Sequence, residues 1–577
     1  MNLIPKVKQL EIHAGFLTNK AISFEEQNLD SRLVTALKKL PCDPTGTKLE
    51  IDIIGEAEAG SVDNSGEGYE LLISENHISI RASSPAGAFY AIQTLRQLYK
   101  ELQVPCLHIV DRPDFPHRGF YQDVTRGKIA SVETIKKLID DMAYYKLNSL
   151  QLYVEHVFEF EETKDLWQST GCLTGAELRE LDEYCHLNFI DFIPSLSTFG
   201  HLHDLLEQPK YKHLQVLKDF QEIPNFWSSR MRHHTIDPLN PESFRVIKSL
   251  IDQYAPHFTS QYFNICCDET FDLTRYADEG YDVGRLYVDF VKKIIDHVGA
   301  KDKKVMMWAD ILLKHPETIG ELPEDTLFLN WYYGTDTAKM EEKIAKFAEA
   351  GRTQIVCPGT SAWSRLCEKV DVEEINITKM IELGYKYGAA GVLNTNWGDW
   401  GNPCSLELGM YGMVLGAEKS WSADTELDDE FYGAVNGLLY GSDSGIQALK
   451  AVSALQDRIT WKRVCQNYFS RRYENGAALD FISAEEVRTI QREYQEIVDK
   501  LSGEKWESDE FRQEMLLAAE GTCVMAEVTA QLSGYEAERL TDTESWLGKY
   551  SEKWLKKNKP SELYRIQEMF RYYEEIV

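Results

Sequence analysis

The chain has 577 residues, of which 43% are hydrophobic and 27% charged, and 62 Lys and Arg against 93 Asp and Glu give a formal charge of −31. Because single cores stop growing near roughly 250–300 residues, the length predicts more than one domain, and the hydrophobic fraction argues against wholesale disorder. The charge argues against a general binder of nucleic acid or of an anionic membrane, since both partners are polyanions.

The sequence carries no predicted targeting or membrane segment. Residues 1–15 lack the apolar stretch and the small-residue cleavage site of a secretory signal, and no run of about 18 apolar residues occurs. The 11 cysteines are odd in number and scattered, without the CxxC spacing of a zinc finger. Reduced thiols in a cytoplasmic protein are therefore the expected state.

The first region, residues 1–112, reads as a small α/β domain. Residues 48–54 and 69–82 have the composition of strands, and a turn at Glu75-Asn76 breaks the second run. Apolar residues recur at helical spacing over 86–99. A sheet with a helix packed on one face is the natural interpretation.

The second region, residues 113–425, alternates short apolar runs with amphipathic helical patterns, for example over 132–145, 283–298 and 337–350. Eight such units predict a closed parallel (β/α)8 TIM barrel, whose strands are buried on both faces. The eight runs are 119–124, 149–154, 189–196, 262–267, 304–308, 327–332, 354–357 and 391–394.

The third region, residues 426–577, loses the strand pattern. It is rich in Glu, Lys, Gln and Leu with a 3.6-residue period, as over 484–501 and 509–532. The pattern predicts an α-helical domain that packs on the barrel, and its charge runs are typical of solvated helix faces. These helices could also mediate a homodimer.

Polar and aromatic side chains follow the predicted barrel strands, at the end where barrel active sites form. Indole faces stack on sugar rings, and carboxylates and Arg bind hydroxyls, so this rim suits a carbohydrate. Taken alone, each Trp is more often core, but four strand ends carry one. The candidates, in strand order, are Arg126, Glu155, His156, His201, Trp308, Trp331, Tyr332, Tyr333, Trp363, Trp397 and Asp399.

The adjacent acids Asp268 and Glu269 follow the fourth run. Two neighbouring carboxylates at the end of an apolar strand repel each other, so one pKa should rise, as a general acid for glycoside hydrolysis requires. The alternative is a pair of acids at a helix N-terminus, where the helix dipole favours them.

These motifs together resemble those of glycoside hydrolase family 20, the β-N-acetylhexosaminidases, as a divergent subgroup. Residues 263–269, Phe-Asn-Ile-Cys-Cys-Asp-Glu, resemble its strand-four signature, with Cys where Gly is usual. Residues 123–126 resemble its strand-one motif, 199–201 its Pro-Gly-His motif and 397–399 its Trp-x-Glu motif, with Asp in place of Glu. The likeness covers about residues 50–425.

The resemblance implies exo-acting, retaining hydrolysis of terminal β-linked GlcNAc or GalNAc from a small oligosaccharide or glycoconjugate, with no cofactor and no metal. The acetamido oxygen of the substrate would attack the anomeric carbon and form an oxazolinium intermediate. Glu269 would be the general acid and base, and Asp268 would orient the acetamido group. Arg126 and Asp399 would bind hydroxyls, and Trp308, Trp331 and Trp397 would wall the acetamido pocket.

Two family features lack an obvious counterpart. The family's strand-seven Tyr, which donates to the acetamido oxygen, is absent, so Tyr332, Tyr333 or Trp363 would supply that donor. The strand-two Asp that orients the strand-three His is also absent, and Glu155 or His156 would then support His201.

Three other functions are also compatible with these residues. A metal-dependent barrel hydrolase would use His201, His203, His233 and His234 with Asp268 as ligands, although an isolated HxH in a loop is usually a surface pair. A non-catalytic carbohydrate-binding protein would keep the stacking Trp residues without a working acid. A glycosidase with an enzyme nucleophile would tolerate substrates that lack the 2-acetamido group.

Overall fold

A computed structural model describes residues 1–54, 66–220, 225–232, 234–473, 482–533, 535 and 538–576. The amino-terminal part forms a six-stranded mixed sheet, whose strands are β1 Gln9–Phe16, β2 Ile22–Ser23, β3 Thr47–Ile53, β4 Tyr69–Ser74, β5 His77–Ala82 and β6 Pro105–Asp111. Their order in the sheet is β1-β6-β4-β5-β3-β2. The predicted strands and their turn are confirmed as β3, β4 and β5, whereas β1, β2 and β6 were not predicted.

The helices of this part are α1 Ser31–Leu37 and α2 Pro85–Leu98. Ser84 caps α2 by accepting from the backbone N–H groups of Ala86 and Gly87, and Pro85 suits the first helical position because it has no N–H to satisfy. Most residues of α2 are buried on both sides. A helix buried all round connects two layers of structure rather than facing solvent.

Eight parallel strands close into the predicted barrel. The last strand pairs with the first over six residues, from Gly391 opposite His117 to Asn396 opposite Gln122. The strands are β7 His117–Asp123, β8 Ser149–Val154, β9 Asp191–Leu196, β10 Tyr262–Asn264, β11 Lys304–Trp308, β12 Leu327–Trp331, β13 Gln354–Cys357 and β14 Gly391–Asn396.

Helices of uneven length surround this barrel. The helices are α3 Val132–Tyr144, α4 Lys164–Thr170, α5 Gly175–Leu187, α6 His203–Leu206, α7 Phe226–Arg230, α8 Pro241–Tyr254, α9 Thr274–Asp278, α10 Val283–Gly299, α11 Asp310–Lys314, α12 Thr337–Glu349, α13 Val370–Lys386 and α14 Met410–Trp421. The three predicted examples correspond to α3, α10 and α12, and short helices lie in the loops at the carboxyl ends of strands.

The carboxyl-terminal part is helical, as predicted, and it packs on the barrel. The Lys557 ammonium lies 2.6 Å from Glu407 and 2.9 Å from Glu514. No helix among the described residues combines the length and the apolar composition needed to span a membrane. The helices are α15 Asp429–Val435, α16 Gly445–Gln456, α17 Trp461–Tyr473, α18 Ala484–Gly503, α19 Asp509–Leu532, α20 Thr543–Lys557 and α21 Leu563–Ile576.

Candidate active site

The chain leaves the fourth barrel strand earlier than predicted and turns sharply. Strand β10 ends at Asn264, and Cys266, Cys267 and Glu269 adopt φ angles of 57°, 65° and 49°. Side chains with a Cβ rarely enter this left-handed region, at a cost of roughly 1–2 kcal/mol each. Asn264 holds the turn, because its side-chain oxygen accepts from the Cys266 N–H at 2.9 Å. This turn directs the side chains of Asp268 and Glu269 into the mouth of the barrel, at the carboxyl ends of the strands.

Gly200, in the loop after β9, allows this turn to pass close by. A Cβ at Gly200 would lie 2.3 Å from the backbone oxygen of Asp268, so no larger residue fits without moving the backbone. The next residue, His201, has a φ of 56° and is almost fully buried. The two loops therefore bring His201 and the acidic pair together from separate strands.

His201 lies between the two acids. Its Nε2 is 3.2 Å from Asp268 Oδ2 and 3.5 Å from Glu269 Oε2. Burial disfavours the imidazolium, but the two carboxylates outweigh burial and raise the pKa of His201 to about 9. The side chain of Asp268 is buried, and its Oδ1 has no hydrogen-bond partner within the described structure. Asp268 can therefore accept a hydrogen bond from a ligand.

The residue that supports His201 is His234, and not Glu155 or His156 as predicted. The His201 ring stacks on His234 at 4.6 Å with a 6° tilt, and the His201 N–H donates to His234 Nδ1 at 3.0 Å. Glu155 accepts from the Tyr153 hydroxyl at 2.8 Å, and His156 Nδ1 lies 3.3 Å from Asp204. His234 comes from the long loop after β9, so spacing along the sequence could not reveal this contact.

Glu269 has a second acidic neighbour, Asp310. The Glu269 N–H donates to Asp310 Oδ2 at 3.2 Å. Burial raises the pKa of Glu269, His201 opposes the rise, and the charge of Asp268 adds to it. Burial together with Asp268 and Glu269 raises the pKa of Asp310 to about 7. Sequence reasoning did not assign Asp310 to the site, although its position directly after β11 was the available signal.

Arg126 and Asp399 form the opposite side of the mouth. Arg126 Nη1 donates to Asp399 Oδ1 at 2.8 Å, and its Nε is 3.7 Å from Glu155. The guanidinium also lies over the rings of Tyr153 and Trp397, at 5.0 and 4.9 Å from their centroids. Burial works against the cation, but Asp399 and further acids hold the pKa of Arg126 well above its ordinary value.

The strand-one acid Asp123 builds the backbone around Arg126. Asp123 Oδ1 accepts from the N–H groups of Thr125 and Arg126 at 2.8 and 3.0 Å, and Oδ2 accepts from Gly398 at 3.0 Å. This single carboxylate therefore joins the ends of the first and last barrel strands. It fixes both Arg126 and the loop that carries Asp399.

Aromatic rings form the floor and one wall of the mouth. Trp308 is buried and contacts Trp397, with ring centroids 5.8 Å apart. Trp397 Nε1 donates to the Tyr333 hydroxyl at 2.7 Å, and Tyr333 stacks on Trp331 at 5.1 Å and contacts Trp363 at 5.2 Å. The structure thus brings all four predicted Trp residues and Tyr333 into one continuous wall.

Tyr332 does not join that wall. Its ring packs against the core outside the barrel, whereas Trp331 and Tyr333 pack against the cluster inside it. Successive residues at a strand end point to opposite faces, so only one of the two candidate tyrosines can face the mouth. Tyr333 and Trp363 remain as possible donors to a ligand.

The residues that a metal-dependent hydrolase would use as ligands do not form one cluster among the described residues. Within the described structure, the group whose ligand atoms lie within 4.8 Å of one another is Glu155, His156 and Asp204. Arg230 donates to Asp204 at 2.8 Å and so competes for that carboxylate. The ligand set of that rival function was His201, His203, His233, His234 and Asp268, of which His233 lies outside the described residues.

The fold and the mouth define a class of protein: a (β/α)8 barrel with paired acids, an Arg and a wall of indoles at its carboxyl end, as in glycosidases. Residues 115–387 match the model of the glycosyl hydrolase family 20 catalytic domain, and residues 1–112 match that of domain 2 of the same family. Together these matches cover more than half of the chain. The chain therefore belongs to glycoside hydrolase family 20.

Curated relatives agree with this assignment. The chain is 24% identical over 402 residues to a lacto-N-biosidase of Bifidobacterium bifidum, covering 66% of this chain and 33% of that protein. It is 28% identical over 366 residues to a β-hexosaminidase of Porphyromonas gingivalis, covering 54% and 46%. The chain thus spans a third to a half of the length of these relatives.

Solved structures share the fold. An exo-β-N-acetylglucosaminidase of Vibrio harveyi superposes with a TM-score of 0.59 at 19% identity, covering 76% of both chains. A chitobiase of Flavobacterium johnsoniae superposes with a TM-score of 0.61 at 16% identity, covering 95% of this chain and 96% of that one. At such identities the likeness establishes the architecture alone.

Proposed function

We propose that this chain is an exo-acting, retaining β-N-acetylhexosaminidase that removes terminal β-linked GlcNAc or GalNAc by substrate-assisted catalysis. The observation that carries the proposal is the buried Asp268 carboxylate beside Glu269 and His201, whose Oδ1 has no hydrogen-bond partner among the described residues. A buried acceptor without a donor costs about 1–3 kcal/mol unless a ligand satisfies it. An acetamido N–H is a donor of the right kind.

In the first step Glu269 gives its proton to the glycosidic oxygen. The acetamido oxygen forms a bond to the anomeric carbon while the bond to the leaving oxygen breaks, which gives an oxazolinium ion. Asp268 accepts the acetamido N–H and stabilises the positive charge that develops on that group. The raised pKa of Glu269 keeps its proton in place at higher pH than an ordinary carboxyl group would.

In the second step Glu269 takes a proton from water as the water attacks the anomeric carbon. The bond to the acetamido oxygen breaks, and two displacements at one centre leave the β configuration unchanged. His201 holds a positive charge between the two acids, because its pKa is raised to about 9. That charge lies 3.2 Å from Asp268 Oδ2 and 3.5 Å from Glu269 Oε2, so it favours the negative charge that Glu269 carries after the first step.

The remaining residues orient the terminal sugar. Arg126 and Asp399 bind hydroxyls on the side away from the leaving group, and their ion pair supports recognition of a chain end. Trp308 and Trp397 enclose the acetamido methyl group. We assign the donor to the acetamido oxygen to Tyr333, because Trp397 donates to the Tyr333 oxygen and leaves the hydroxyl hydrogen to be donated.

The substrate we propose is a small oligosaccharide or glycoconjugate fragment in the cytoplasm. All 11 cysteines lie within the described residues, and none forms a disulfide, which suits a reducing compartment. The carboxyl-terminal helices remain the proposed surface for a homodimer.

The test is hydrolysis of paired chromogenic β-glycosides, the glucoside and the N-acetylglucosaminide, with and without a chelator. Cleavage of the N-acetyl sugar alone, unaffected by the chelator and lost in Asp268→Asn, supports the proposal. Cleavage of both sugars would indicate an enzyme nucleophile, and loss with the chelator would indicate a metal. Binding of N-acetylglucosaminides without turnover would indicate a carbohydrate-binding protein.

A further inference from the structure

A cavity of about 350 Å³ opens beside Glu269 on one side of the mouth. Its inner wall includes Glu269, Asp310 and Trp331. Arg126 and Asp399 do not line it, and these two residues bind the opposite end of the sugar in the proposed function. Because Glu269 must reach the glycosidic oxygen, a cavity that shares Glu269 but not Arg126 lies where the leaving group would extend.

The outer wall of this cavity is basic, although the whole chain carries a charge of −31. Its lysines are Lys314, Lys339, Lys343 and Lys346, set against one acid on the same wall, Glu342. Two of the four are already paired: Lys346 with Glu342 at 2.8 Å, and Lys339 with Asp336 at 3.6 Å. The two inner lysines differ from these.

Lys314 and Lys343 make no ion pair within the described part of the chain, and each lies over an aromatic ring instead. Lys314 Nζ is 4.9 Å from the centroid of Phe271, and Lys343 Nζ is 4.9 Å from that of Trp331. Burial lowers the pKa of Lys343, so a nearby anion would relieve the cost of keeping it charged. Phe271 is 41% exposed, which leaves part of its face open to a ligand.

The two acids of the inner wall do not prevent an anion from binding. Glu269 must be protonated and therefore uncharged at the start of the reaction, which leaves Asp310 as the one acid of the inner wall that can carry a charge. The two ammonium groups of Lys314 and Lys343 outnumber that single carboxylate. The unpaired ammonium groups then dominate the local potential, and the ring faces offer a stacking surface for a sugar or a phenyl ring.

We propose that this cavity is a leaving-group subsite that selects an anionic aglycone, whose acidic group binds Lys314 and Lys343 while its ring packs on Trp331 or Phe271. The inference rests on the proposed function, since that function assigns Glu269 to the leaving oxygen. The acidic group is a carboxylate, or a sulfate or phosphate ester, because all of these accept hydrogen bonds from ammonium groups.

The test measures kcat/KM for the full chain on β-N-acetylglucosaminides of 4-hydroxybenzoate, of its methyl ester and of 4-hydroxybenzenesulfonate. The quantity compared is the ratio of each anionic substrate to the neutral ester. The intrinsic reactivity of each leaving group is the same for every variant, so a change in that ratio isolates the side chain that was replaced.

We expect Lys343→Met and Lys314→Met each to lower the ratio about three- to ten-fold, the range of exposed to partly buried charge pairs. The control Lys346→Met, whose lysine already pairs with Glu342, should change it by less than about two-fold. The wild-type preference should also fall as salt is raised. A lysine-dependent preference for the sulfonate alone or the carboxylate alone identifies the anion.

An unchanged ratio in both Lys343→Met and Lys314→Met would overturn the inference. Failure of the proposed function has a different signature, since the wild type would then cleave none of the three substrates. In that case calorimetric binding of the 4-hydroxybenzoate glycoside decides the subsite. Binding lost in Lys343→Met and kept in Lys346→Met supports the subsite, and equal binding by the two variants refutes it.

Discussion

Both ends of the barrel bury charged side chains, but the two ends differ in how completely these charges are paired. At the amino-terminal end, Lys146 is almost fully buried and donates to the Tyr69 hydroxyl at 2.9 Å and to Asp111 at 3.0 Å. Asp111 also accepts from the Trp421 indole at 2.9 Å. This cluster joins the amino-terminal sheet to the barrel, and each of its charges is paired.

At the carboxyl-terminal end, Asp268 and Glu269 lie on either side of His201, and Asp310 accepts from the Glu269 N–H. Asp268 Oδ1 and Asp310 Oδ1 are buried without hydrogen-bond partners in the described structure, and Glu269 has a strained backbone. A buried charge that is fully paired stabilises one arrangement of the chain. A cluster whose carboxylate oxygens lack partners can still accept hydrogen bonds from a substrate. Substitutions should therefore affect stability at the amino-terminal end and activity at the carboxyl-terminal end.

Glu269→Gln should give the largest effect. We expect kcat on a substrate with a poor leaving group to fall about 10²- to 10⁴-fold, because the amide cannot protonate the glycosidic oxygen. The melting temperature should stay within a few degrees. The matched control Glu342→Gln replaces an acid of the neighbouring cavity and should retain activity.

A dinitrophenyl leaving group needs little protonation and should recover much of the first step in Glu269→Gln. Unchanged kcat on the poor leaving group would remove Glu269 from its assigned role. It would also remove the distinction between the two ends of the barrel.

Lys146→Met tests the amino-terminal end. It removes the cation from a buried pair and should lower the free energy of unfolding by about 3–5 kcal/mol, measured by urea denaturation. Activity per folded molecule should be unchanged, since the cluster lies at the far end of the barrel. The control Lys38→Met breaks an exposed pair with Glu26 and should cost at most about 1 kcal/mol. Loss of activity without loss of stability would contradict the comparison.

Asp310→Asn should shift the pH dependence of activity. Removing a negative charge beside Glu269 favours the ionised form of Glu269, so its pKa falls. The alkaline limb of kcat/KM against pH should then move to lower pH, by up to about one unit, since a general acid is lost above its pKa. A limb that stays in place or moves to higher pH would show that the two carboxyl groups do not interact.

Glu373→Gln should give the smallest effect, and on stability alone. Glu368 and Glu373 form a buried acidic pair against α14, where Glu368 accepts from the Gly412 N–H at 3.1 Å. Burial raises the pKa of Glu368 to about 8, and burial with the charge of Glu368 raises that of Glu373 further. These acids stabilise the fold below their unfolded pKa near 4.5, and that stability is lost as pH rises through about 8.

The wild-type melting temperature should therefore fall between about pH 4.5 and pH 8. Glu373→Gln should reduce that fall by the equivalent of about 1 kcal/mol. Its kcat/KM should equal that of the wild type. Equal slopes of melting temperature against pH in the two proteins would show that the pair does not titrate in this range.

The sequence predicted the elements that have a strong local period. Eight apolar runs separated by amphipathic helices fit a closed parallel barrel with strands buried on both faces, and the structure confirms that barrel. Strand β1 was not predicted, although its apolar residues Leu10, Ile12, Ala14 and Phe16 alternate with Gln9, Glu11, His13 and Gly15. Nearly all of this strand is exposed at the sheet edge. Strand β6 begins with Pro105 and pairs with β1 and β4.

By itself the sequence determined the fold class, the acidic pair Asp268-Glu269 and the aromatic rim, because these follow from neighbouring residues and from the rule that barrel sites form at strand ends. Only the tertiary structure decided that His234 supports His201, that Asp310 faces Glu269, and that Tyr333 rather than Tyr332 faces the mouth. These contacts join residues from different strands and loops. Their distances depend on how the barrel closes and on which face each strand end presents, which no local pattern encodes.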